Sequence, residues 1–188
     1  MTILEQSLCL LNGISPECEV RLRHYGILTC KQLVNDIDSL FSPAHSKKIC
    51  TSYAQYEVAS EVQLVDWMVT NLPSGHRVRA IKQFFKDVLF YDVETNGLTK
   101  TANITCISTI KNGEVKIFVR NRNLHDFLKE WQQAKIIVGF NNKSFDSHMI
   151  CKEFGLSSVP PQVDLMHEAD HYVLRKKKKK IEHLIGYK

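Results

Sequence analysis

The 188-residue chain lacks any apolar run of the roughly 18–20 residues that a membrane-crossing helix needs, so a transmembrane protein is not expected. Its first residues, Met1 to Gly13, carry Glu5 and no basic leader, so no secretory signal is expected and a cytoplasmic location is. Its six cysteines (Cys9, Cys18, Cys30, Cys50, Cys106 and Cys151) form no C-x-x-C pair. That spread disfavours a zinc ribbon and a dense disulfide framework, and the cysteines read as reduced thiols. No internal repeat is visible. What is present is ordinary globular composition, 44% hydrophobic and 24% charged, which excludes a disordered chain.

The net charge of +5 comes from one place. Arg175 to Lys180 is an unbroken basic run, and outside it 19 bases meet 20 acids. Such a patch, with Arg175, Lys176, Lys177 and Lys178 at its start, suits a polyanion such as a nucleic-acid backbone, and equally reads as a solvated stretch.

Three regions separate by pattern. Residues 1–40 read as short helices broken by Gly, Pro and Ser, and residues 41–86 as a helical linker, with Ala44 to Asn71 as one long amphipathic helix. Residues 87–188 alternate strand and helix. Val88–Val93 is rich in β-branched and aromatic residues and predicts a buried strand. Asn103–Ile110 and Glu114–Val119 predict two more, joined by the tight turn Lys111-Asn112-Gly113. Leu124–Trp131 has helical spacing, Lys135–Phe140 is a short buried strand, and Ser144–Phe154 is a helix capped by Ser144 and ended by Gly155. Val159–Val163 predicts a last short strand. The sum is a mixed α/β sheet flanked by helices, preceded by a small all-helical module.

The chemistry concentrates in two words. In Phe90-Tyr91-Asp92-Val93-Glu94-Thr95-Asn96-Gly97, the strand period of two puts Asp92 and Glu94 on one face. Two carboxylates on a strand this apolar are costly unless a cation neutralises them, and hard oxygen donors suit Mg²⁺ or Mn²⁺. Alone, the pair also reads as a solvated strand end. The second word, Gly139-Phe140-Asn141-Asn142-Lys143-Ser144-Phe145-Asp146, places Asp146 on the first turn of the next helix. There it either faces the same sheet edge or offsets the helix dipole.

Together the two words resemble the D-x-E-T and G-x-N-x-x-x-F-D motifs of the DEDD 3′–5′ exonucleases of the RNase H-like superfamily, and are similar to YprB-type nuclease domains over roughly residues 73–186. The resemblance implies a metal-dependent nuclease acting on DNA or RNA by two-metal phosphodiester hydrolysis. It implies Asp92, Glu94 and Asp146 as catalytic Mg²⁺ or Mn²⁺ ligands, with Thr95, Asn141 and Phe145 near the nucleotide. The pattern departs in one respect. The expected fourth acid, in a Y/H-x-x-x-D word, is not found; Asp164 and Asp170 are the nearby acids. The domain at 87–188 thus reads as lacking its last motif, so hydrolysis is left open. The alternative is a catalytically impaired nucleic-acid- or partner-binding protein that keeps the fold, or a protein partner or oligomer that completes the site.

Two further words compete. His167-Glu168-Ala169-Asp170-His171 satisfies H-E-x-x-H, which on a helix can hold zinc, and which otherwise is a polar helix face. Leu11-Asn12-Gly13-Ile14-Ser15-Pro16, with the following Tyr25-Gly26-Ile27, resembles a helix-hairpin-helix, a DNA-binding hairpin that implies phosphate contact near Gly13 and Ser15. There Ser15 replaces a glycine, and Glu17 and Glu19 are expected to oppose a polyanion.

Overall fold

The computed structural model describes residues 2–97, 99 and 101–169. Arg175 to Lys178, Asp170 and His171 lie outside the described residues. The chain forms two compact units, Met1–Gln83 and Phe84–Lys188.

The first unit is helical: α1 (Ile3–Gln6), a 3₁₀ turn (Leu8–Leu10), α2 (Pro16–His24), α3 (Cys30–Asn35), α4 (Ile37–Leu40), α5 (Pro43–Val58), α6 (Glu61–Asn71) and α7 (Val78–Gln83). The segment expected as a linker therefore belongs to the same unit as the N-terminal helices. The caps are local. Ser15 accepts from the Cys18 N–H with Pro16 at the first helical position, and Thr29 forms a reciprocal box with Gln32. The single helix expected over Ala44–Asn71 is broken. Ala59 and Ser60 are extended, and Ser60 and Gln63 cap each other to start α6. Leu8, Leu10, Leu11, Leu33, Ile49 and Met68 are fully buried and form the core.

Glu19, expected to oppose a polyanion, is instead a buried structural carboxylate. It is 2% exposed and bonds to Arg79 and Arg23, both at 2.9 Å, and to the Cys9 N–H. Burial raises the carboxyl, but the hydrogen bonds from Arg79 and from Cys9 outweigh it and hold it at about 2.

The second unit is a mixed sheet: β1 (Val88–Thr95), β2 (Ile104–Lys111), β3 (Glu114–Val119), α8 (Phe127–Gln133), β4 (Ile136–Gly139), α9 (Asp146–Phe154) and β5 (Gln162–Asp164). The strand order is β3-β2-β1-β4-β5. β1–β2 and β2–β3 pair antiparallel, and β1–β4 and β4–β5 parallel. The β2–β3 hairpin closes through Asn112 (φ 53°) and Gly113 (φ 81°), the left-handed pair such a turn demands. Alternation sorts β1. Leu89, Tyr91 and Val93 are buried with Phe127, Trp131, Met149 and Ile150 of α8 and α9, while Asp92 and Glu94 emerge on the opposite face. Tyr91 meets Trp131 edge-on at 5.4 Å.

Two local expectations shift. Leu124–Asp126 is a 3₁₀ turn that leads into α8. Ser144 is not the cap of α9. The helix starts at Asp146 without a side-chain cap, and the Ser144 hydroxyl instead donates to the Asn141 carbonyl at 3.0 Å.

Candidate active site

β1 pairs with β4 only through Val88, Leu89 and Phe90, so its C-terminal half runs past β4. Beside that half, the chain leaves Gly139 at the end of β4 and turns into α9. A side chain at Gly139 would place its Cβ 2.8 Å from the Asn142 Cβ and 3.1 Å from the Tyr91 carbonyl, so glycine is required by the close approach of strand and turn.

The turn is fastened from β5. Asp164, 2% exposed, accepts three backbone amides: Oδ1 from Asn141 at 2.8 Å and Met166 at 3.0 Å, and Oδ2 from Lys143 at 3.2 Å. Asn141 sits at φ 57°, a left-handed conformation that asparagine tolerates better than other residues with side chains. Beneath the turn runs a directed chain of hydrogen bonds. Asn142 Nδ2 donates to Tyr91 Oη at 3.2 Å, Tyr91 Oη meets Ser147 Oγ at 2.8 Å, and Ser147 donates to Gln162 Oε1 at 2.9 Å. Burial pushes the Tyr91 hydroxyl up to about 12, so it serves as a neutral link.

This framework places Asp92 and Asp146 on one open cavity of about 600 Å³, lined also by Phe140, Asn141, Ser144, Phe145 and Met166. Asp146 is 7% exposed. Burial first, then the negative charge of Asp92, raise its carboxyl to about 6 against the pull of the Asp146 and Val93 backbone amides. Phe140 is 63% exposed at this cavity.

Of the residues expected at the site, the structure brings Asp92, Asn141, Phe145 and Asp146 to one cavity. Glu94 shares the exposed face of β1 but is not among the lining residues. Thr95 is turned to local work, its hydroxyl donating to the Gly97 carbonyl at 2.6 Å. In the helical unit, Gly13 has φ 103° and its carbonyl meets His45 Nε2 at 2.9 Å, while Ser15 caps α2. In the H-E-x-x-H word, His167 is exposed but Glu168 is 3% exposed, which departs from a solvated polar face. Sequence reasoning missed Phe140, Met166 and the fastening role of Asp164. Phe140 stands inside the second motif word, at a position the motif leaves open; the other two carry no local signal.

Among the described residues no group of three or more His, Cys, Asp or Glu is placed to hold a metal ion. The donor chemistry of the cavity nevertheless fits a hard divalent cation. Two carboxylates face one space, one of them nearly buried and electrostatically opposed by the other, and a cation removes that repulsion. Asp164 does not extend the set, because both of its oxygens are engaged by the turn.

A five-stranded mixed sheet in this order, with carboxylates at the end of its central strand and helices packed on one face, defines an α/β domain of RNase H-like fold. A family model of the RNase H superfamily matches residues 89–188, and the chain belongs to that superfamily. Membership points to nuclease-type chemistry on nucleic acid. No curated protein and no solved structure matches the chain.

Proposed function

We propose that the protein is a metal-dependent nuclease of the 3′–5′ exonuclease type, acting on DNA or RNA ends. The observation that carries this reading is the cavity shared by Asp92 and Asp146, residues of the two motif words, with Asn141 and Phe145 beside them. Asp92, Glu94 and Asp146 would hold Mg²⁺ or Mn²⁺. When bound, such ions supply a polarised phosphoryl oxygen and an acidified water.

The chain's own residues do the rest. Asp164 fixes the turn that carries Asn141 and leads to Asp146. Phe140 and Phe145 present rings at the cavity, where an unpaired terminal base can stack. The basic run from Arg175 to Lys178, outside the described residues, is assigned to the phosphate backbone, as is the Gly13–Ser15 hairpin.

A second reading has its own support. Glu94 does not line the cavity and Asp164 is committed to the turn, which favours a protein that binds nucleic acid or a partner without cutting. A protein partner or a second copy that supplied the missing acid would instead return the site to the nuclease reading. Hydrolysis of a 3′-labelled single strand with Mg²⁺ or Mn²⁺ separates the two. Metal-dependent loss of label that Asp92→Ala abolishes supports the nuclease. Binding without hydrolysis supports the alternative. Activity that survives Asp92→Ala and is lost in His167→Ala would overturn both in favour of a zinc site.

A further inference from the structure

The helical unit carries two aromatic-lined cavities, remote in sequence from the carboxylate cavity, and what they suit is independent of the nuclease reading. Along α5, the rings of Tyr53 and Tyr56 lie 5.8 Å apart with their planes tilted by 35°, and Tyr56 meets Trp67 of α6 edge-on at 6.3 Å. This aromatic ladder lies along two cavities that both reach Ala59, where the chain bends between α5 and α6. The first, of about 710 Å³, is walled by Tyr53, Tyr56, Glu5, Glu57 and Leu64. The second, of about 530 Å³, is walled by Trp67 and Asp66 with Gln55 and Asn71.

The charge of these walls selects the ligand. Among the described residues that line the two cavities, Glu5, Glu57 and Asp66 face a single cation, Lys31. Burial first, then its hydrogen bond with the Glu57 carboxylate and that charge, raise the Tyr53 hydroxyl to about 12. Half-buried aromatic rings lining a groove would suit the bases of a single strand, but its phosphates would meet three carboxylates. A cationic side chain satisfies rings and acids at once. Arginine fits best, because its planar and weakly hydrated guanidinium both stacks on a ring and pairs with a carboxylate. Two cavities meeting at one bend match neighbouring side chains of an extended peptide.

We propose that the helical unit docks an extended segment of a protein partner by seating an arginine against Tyr53 and Tyr56, paired with Glu57. The test titrates the isotope-labelled full chain with the capped peptide Ala-Ala-Arg-Ala-Ala, its glutamine counterpart and a short oligothymidylate, read by amide chemical shifts. The arginine peptide should shift amides of α5 and α6 saturably, and the glutamine peptide should bind at least about fivefold more weakly. Tyr56→Leu should weaken the arginine peptide by about tenfold, while Tyr56→Phe should keep its affinity. Glu57→Gln, an exposed change that leaves the fold intact, should weaken it by about fivefold at low salt and less at high salt. Should Tyr56→Leu fail to fold, Glu57→Gln decides alone. Equal affinity for the two peptides, shifts confined to other elements, or preferential binding of the oligothymidylate at these amides would overturn the proposal.

Discussion

Asp164 offers the sharpest test of how the cavity is built. Three backbone amides from a turn about twenty residues earlier and from the residue two positions later all end on its carboxylate, which is 2% exposed. A hydrogen bond to a charged acceptor contributes about 1.5–3 kcal/mol, and an amide left buried without a partner costs about 1–3 kcal/mol. The three bonds share one acceptor and are not additive, so Asp164→Ala should destabilise the sheet-bearing unit by about 3–5 kcal/mol. Asp164→Asn is the informative companion. Its one carbonyl can still accept from Asn141 and Met166, while its amide group faces the Lys143 N–H, so the cost should be about 1–2 kcal/mol. Urea unfolding reads both. Trp131 lies in the sheet unit's core and Trp67 in the helical unit, so fluorescence in a Trp67→Phe background reports the relevant transition alone. Equal costs for the two variants, or an Ala variant that loses less than about 1 kcal/mol, would refute the claim that this carboxylate holds the turn.

Three other outcomes follow from the same structure. Asp146 is raised in the folded state from 3.8 to about 6, so folding favours its protonated form; the stability it contributes is full below about pH 4 and is lost as pH rises through 6. Asp146→Asn should therefore be more stable than the native chain by about 2–3 kcal/mol at pH 8 and no more stable at pH 4, as measured by thermal unfolding across that range. Gly139→Ala forces contact with the Asn142 side chain and the Tyr91 carbonyl and should cost about 1–3 kcal/mol, with loss of the Tyr91–Ser147 bond visible in the tyrosine hydroxyl resonance. Arg79→Ala leaves the Glu19 carboxylate buried beside Arg23 and should cost about 3–5 kcal/mol at pH 7, a cost that shrinks as pH falls through about 2, the carboxyl's folded value.

The parts legible in the sequence were those written locally. The alternation of Val88–Val93 and the Asn112-Gly113 turn specify β1 and the hairpin, because a pleated strand with one buried face imposes a period of two and a tight turn demands positive φ. The motif words contain Asp92 and Asp146, the two carboxylates that line one cavity. The break between α5 and α6 was also locally encoded, in Ser60-x-x-Gln63, but a run of apolar residues on both sides masked it. Long-range facts were not legible. That Glu19 is buried depends on Arg79, sixty positions away, and that Asp164 fastens the turn depends on amides it meets only once β5 lies beside β4. Ser144 was read as a cap because it precedes the helix; the Asn141 carbonyl and side-chain oxygen take its hydroxyl instead.

The central claim is that Asp92 and Asp146 form the core of a divalent-cation site. Electron paramagnetic resonance of Mn²⁺ titrated into the full chain at pH 7.5 tests it directly. Bound Mn²⁺ that disappears in both Asp92→Asn and Asp146→Asn, and that Mg²⁺ displaces, is the result predicted; Mn²⁺ binding unchanged in the two variants, or none in the native chain, would contradict it.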